Sequence, residues 1–107
     1  MQGYPKKIRK LIREYGAKAR EAELRRELQG LSICFDEWKD GEMTSDELSR
    51  ATYKLVMKTA RDIDRKYGDD TVDVALANAI QKDSLKRDEV PEKLLEHLAH
   101  LLKFYNG

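Results

Sequence analysis

A chain of 107 residues that is 38% charged and 7% aromatic, with few Gly and Pro, has room for one domain whose core needs no metal or disulfide. Cys34 is its one cysteine, which excludes an internal disulfide and suits a reducing compartment. No apolar run approaches the roughly 20 residues of a membrane span or follows the basic N-terminus as a secretory signal would, so a cytoplasmic protein with no membrane contact is expected.

The net charge of +1 is unevenly spread. Residues 1–26 carry nine Lys and Arg against Glu14, Glu21 and Glu23, while residues 27–107 carry twelve against seventeen acids. The expectation is a single helical domain made of a basic helical arm, 1–26, on an acidic helical body, 27–107.

From Pro5, which suits a first helical turn, nothing stops a helix until "KDGEMTS". Gly16 and Gly30 weaken it without breaking it. Its apolar residues form two series: Ile8, Ile12, Tyr15, Ala19 and Ala22, then Leu24, Leu28, Leu31, Phe35 and Trp38. At about 100° per residue, Tyr15 and Leu31 are roughly 160° apart. Either the helix bends near 19–24, or its halves bury against different partners. The second series, with its two aromatics, reads as the better core stripe, and the first as packing against something other than its own body.

Gly41 reads as a left-handed cap, and Thr44 with Glu47 as a capping box opening a second helix to about Tyr67. Leu48, Thr52, Leu55, Thr59 and Ile63 would face inward. A third helix is predicted after Gly68, capped by Asp69 or Asp70, with Val72, Leu76, Ala79 and Ile80 as its stripe. Leu85 would tuck under the polar connection that follows. Pro91 opens a last helix with Leu94, Leu98, Leu101 and Tyr105 on its face. With no period-2 segment, the fold class is all-α, resembling a four-helix bundle with a long first helix that either bends or divides its faces.

Chemistry has little foothold. His97 and His100 are three apart rather than the four of H-E-x-x-H, and no third ligand is evident. "DIDRKYGDD" fails as a calcium loop, since Lys66, Tyr67 and Asp73 stand at its fifth, sixth and twelfth positions. Cys34 has apolar and acidic sequence neighbours rather than a base. An enzyme would need a pocket joining Cys34 or Glu47 to His97 or His100. No catalytic, metal or cofactor site is expected.

"FDEWKDGEMTSDEL", followed by "AR" and "KYG", resembles a group of small uncharacterised bacterial proteins with the pattern F-x-x-W-K-x-G-E-[IM]-x-x-x-E-L, then A-R, then Tyr. Phe35, Trp38, Lys39, Gly41, Glu42, Met43, Glu47, Leu48, Ala60, Arg61 and Tyr67 match it, and "EVPEKLLE" resembles the start of the group's C-terminal helix. The resemblance, over about residues 20–105, implies a helical fold and no activity. This chain has Tyr53, Val56 and Lys58 where the group carries histidines and a glycine, so no role of those histidines transfers.

The cations at the start of the first helix oppose its macrodipole. They fit a frayed turn, an arm docked on an acidic surface of its own body or of a second copy, or a nucleic-acid footprint with Tyr4 and Tyr15 stacking on bases. The reading adopted is a non-enzymatic protein–protein interaction module that forms a homodimer or binds another protein. Ile8, Ile12 and Tyr15 would anchor the partner, and Lys6, Lys7, Arg9, Lys10 and Arg13 would steer it. Nucleic-acid binding by the same cations is the alternative.

Overall fold

The computed structural model describes Met1 and residues 3–105, the side chains of 103–105 lying outside the description. Helix α1 (Lys6–Lys39) is a single α-helix of 34 residues, about 50 Å long at the usual rise, in a molecule measuring 53 × 24 × 24 Å. It is therefore the spine of the whole structure. The other elements are α2 (Ser45–Lys54), a π-helical turn (Leu55–Thr59), α3 (Ala60–Lys66), α4 (Val72–Gln81), a 3-10 turn (Arg87–Glu89), α5 (Glu92–His97) and α6 (Ala99–Tyr105).

Instead of four helices packed side by side along their length, the elements make a globular end and a two-helix arm. At the globular end, Ile8, Ile12 and Ala19 of α1 are buried against Val72, Leu76 and Ile80 of α4. Leu94, Leu98 and Leu102 close the cluster from α5, α6 and the residue between them, and Leu85 and Val90 seal it below. Ile8 and Ile12 are 1% and 0% exposed, and burial contributes about 1.5–3 kcal/mol for each such side chain. A misplaced cation in the first turn costs about 0.3–1 kcal/mol, less in salt. The helix thus begins where it does, with neither a side-chain cap nor an acid in its first turn, because its apolar edge outweighs its charges.

Gly16 sits on that same edge, and a Cβ there would lie 2.5 Å from Val72 Cγ2. The absent side chain sets the distance between α1 and α4.

Beyond residue 20 the spine leaves the globular end and pairs with α2 and α3 as a hairpin. Its tip is closed by hydrogen bonds. Gly41, at φ +80°, donates its N–H to Trp38 O (3.1 Å), and Glu42 donates to Glu37 O (2.8 Å), which is a Schellman motif. Thr44 and Glu47 form the reciprocal capping box that starts α2. Trp38 Nε1 donates to Ser45 Oγ across the turn (2.9 Å). At the hairpin's base, Lys66 Nζ meets Glu23 Oε1 at 2.7 Å and Arg20 pairs with Asp64, tying α3 to α1. Asp83, at φ 60°, takes the glycine position of a second Schellman motif after α4, with Ser84 donating to Ala79 O (2.9 Å).

Several expectations need correction. The two apolar series of α1 do face different partners, but the core belongs to the first and not to the aromatic-rich second. The second helix is interrupted at Leu55–Thr59, where the Ala60 N–H reaches Leu55 O, five residues back. Thr71 rather than Asp69 or Asp70 precedes α4, and its hydroxyl donates to Lys66 O instead of capping α4. The last helix breaks at Leu98, so its buried line is Leu94–Leu98–Leu102, while Leu101 is half-buried. The inward role expected of Tyr105 falls on a side chain outside the description.

Gly16→Ala and Gly30→Ala should part company. Both gain up to about 1 kcal/mol in helix propensity. A Cβ at Gly30 meets nothing within 4 Å, whereas one at Gly16 drives into stiff, β-branched Val72 and should cost about 1–3 kcal/mol. Urea unfolding should therefore show Gly30→Ala more stable than the native chain and Gly16→Ala less stable.

Candidate interaction surface

The first turns of α1 do not project. Ile8 and Ile12, the expected partner anchors, are interior to the chain's own core and have no surface to offer. Tyr15 is half-buried against that core, with Lys18 Nζ 4.5 Å from its ring centroid. Lys6, Lys7 and Lys10 are exposed. Arg9 is half-buried, and Arg13 lies 3.8 Å from Asp69 with both side chains largely in solvent. The first turns of the basic segment thus lie against the chain's own core.

Tyr4 is also occupied. Its hydroxyl donates to Asp73 Oδ2 (2.8 Å), and its ring lies 6.2 Å from that of His100. Partial burial first, then the hydrogen bond to Asp73 and that carboxylate's charge, push the Tyr4 phenol up to about 12. Tyr67 shifts the same way, mainly by burial and then by the nearby Glu23, although neither its hydroxyl nor Glu23 Oε2 forms a well-aligned hydrogen bond.

The residues that an active site would have to join are held apart. Tyr4, beside His100, immediately precedes α1, and Cys34 is thirty residues further along the chain, about 45 Å at the helical rise. Glu47 is engaged in the capping box at the hairpin tip. Among the described residues no three of His, Cys, Asp and Glu gather as a metal site would require, and no helix is long and apolar enough to cross a membrane. An open groove of about 510 Å³ lies over Asp62, Arg65, Lys66, Thr71, Val74, Ala75 and Asn78.

Where the sequence led one to expect core, the structure leaves apolar surface. Leu28 is 48% exposed, Phe35 and Trp38 40%, Tyr53 68% and Val56 55%, all on the hairpin. Of the other large hydrophobics exposed among the described residues, Ile33 and Met57 are on the hairpin too, and only Val74 is elsewhere. Phe35 and Trp38 pack edge to face, centroids 6.4 Å apart, and among the described residues no third ring joins them.

Helical spacing shows how these residues are grouped. On α1 the half-buried Glu23, Leu31 and Cys34 mark the side toward the second arm. The exposed Leu28 and Phe35 fall roughly 100° round from it at 100° per residue. On α2 the buried line is Leu48–Leu55, and Tyr53 and Val56 fall roughly 120° round in the same sense. In an antiparallel pair, equal senses of rotation lead to the same side. The two sets therefore share one flank of the hairpin. The signal was in the sequence as the second apolar series of α1, but nothing there said that it would stay uncovered.

Charge grades along this arm. From Asp36 to Glu47 the tip holds Asp36, Glu37, Asp40, Glu42, Asp46 and Glu47 against Lys39 alone. From Arg50 to Arg61 the second strand of the shaft holds Arg50, Lys54, Lys58 and Arg61 and no acid, while its α1 strand is balanced, with Arg20, Arg25 and Arg26 against Glu21, Glu23 and Glu27. Comparison of the chain with protein-family models, with curated proteins and with solved structures returned no match.

The Tyr4 pair yields a pH dependence. Because the phenol is harder to ionise folded (about 12) than at its ordinary value of 10.0, its contribution is complete below pH 10 and lost as pH rises toward 12. The stability advantage of the native chain over Tyr4→Phe, read from urea midpoints, should be constant below about pH 10 and shrink from there to pH 12. A constant advantage across that range would contradict the assignment.

Proposed function

We propose that this chain is a non-enzymatic helical interaction module that works through the apolar flank of its hairpin. The observation that carries this is the concentration of half-exposed Leu, Phe, Trp, Tyr and Val side chains on one arm, while the globular end buries its own. An uncovered apolar patch of this kind, rimmed by charge, marks a protein–protein surface. Trp38 and Tyr53 are residue types that supply binding energy at such surfaces. The globular end then serves as the anchor that holds α1 rigid and carries the hairpin away from the body.

The distance between Cys34 and the histidine-bearing end supports the non-enzymatic half of the reading. Nucleic-acid binding ranks second. Lys6, Lys7 and Lys10 are exposed, but the two tyrosines that would stack on bases are committed to Asp73, His100 and Lys18.

A photo-crosslinking residue placed at Tyr53 should, in living cells, give a discrete crosslinked product. The same residue placed at Lys82, at the end of α4, should give none. Equal crosslinking from both positions, or none from Tyr53, would refute the reading.

A further inference from the structure

We infer that the occupant of this flank is a second copy of the chain, its hairpin laid antiparallel across the first so that the two hairpins close a four-helix bundle about a two-fold axis. The inference rests on the hairpin flank being an interaction surface and adds what fits it.

Charge selects the partner and the direction. If a second hairpin were stacked in parallel, six acids at one tip would meet six at the other, and the two globular ends would crowd together. Turning it end for end reverses both effects. With the two-fold axis across the hairpins, α1 crosses its own copy near Leu31 and α2 crosses its copy near Tyr53. Along the axis, Asp46 at the start of α2 then lies level with the partner's Arg61, and Asp36 on α1 lies level with the partner's Arg25, at the rim of the contact, where Arg25 also pairs with Glu21 of its own helix (3.1 Å). An isologous contact needs a surface that complements itself under a two-fold rotation. An acidic tip and, on the second strand, a basic shaft on the two sides of an apolar centre meet that condition.

Area is sufficient. From residue 20 to the tip the arm is about 30 Å long, and two helices side by side are about 20 Å across, giving about 600 Å² per copy. The pair would cover about 1,200 Å², the lower edge of specific, stable interfaces. The exposed apolar residues of the two copies would supply the centre: Leu28 and Phe35 from α1, with Leu24 beside them, and Tyr53 and Val56 from α2.

Sedimentation equilibrium from micromolar to millimolar concentration, at low and at physiological salt, tests this with charge-reversal pairs. The tip variant is Asp36→Lys with Asp46→Lys, and the shaft variant is Arg25→Glu with Arg61→Glu. All four residues are exposed, and circular dichroism checks that each variant is folded. The native chain should dimerise, more tightly at low salt. Each variant alone should dimerise at least tenfold more weakly, and an equimolar mixture of the two should recover a dimer. A tip variant that dimerises as well as the native chain would overturn the antiparallel arrangement. A native chain that is monomeric at millimolar concentration would overturn the second copy as occupant. In that case a crosslink from Tyr53 to a different protein leaves the interaction reading standing, and no crosslink removes both.

Discussion

The close approach of α1 to α4 at Gly16 and Val72 is the constraint on which the rest of the molecule depends. It draws Ile8, Ile12 and Ala19 into the interior and so uses up the first half of the spine. It also accounts for a helix start that its own charges oppose, because the burial of two isoleucines outweighs the cost of several solvated cations. With that half held, a continuous 34-residue helix has no choice but to carry its second half out of the globular end. The hairpin is a consequence of that anchoring rather than a separate domain.

The tip is closed as tightly as the base. A Schellman motif with Gly41 at positive φ, a capping box from Thr44 and Glu47, and the Trp38–Ser45 hydrogen bond account for the backbone groups that two helix ends would otherwise leave unpaired. The stretch "FDEWKDGEMTSDEL", on which the resemblance to a bacterial group rests, is thus largely the chemistry of a helix–turn–helix closure. What that chemistry does not explain is Phe35, which faces solvent beside Trp38, or Leu28 below it. These are the residues that give the hairpin its proposed use.

Much of this was legible from the residues. The helices, the tip caps, the two-faced nature of α1 and the burial of Leu85 follow from spacing and turn chemistry. The assignment of the core was not legible. Apolar spacing shows that a helix has a face, not what covers it, and Phe35 and Trp38 carry more side-chain carbon than Ile8, Ile12, Gly16 and Ala19 together. The small residues decided the matter, because Gly16 and Ala19 let α4 approach closely at Val72. The candidate site shifted for the same reason: Ile8 and Ile12 read as anchors only while the body was placed on the other half of the spine. The π turn at Leu55–Thr59 and the break at Leu98 have no marker in the sequence, since neither contains Gly or Pro.

The central claim is that one half of the spine is satisfied within the chain and the other half is completed by a second copy. Amide hydrogen exchange measured across a concentration series tests it most directly, because each half reports separately. Protection over residues 24–63 should rise as the chain is concentrated, while protection over residues 72–98 stays constant. Protection that is independent of concentration in both regions, or that rises equally in both, would contradict the account.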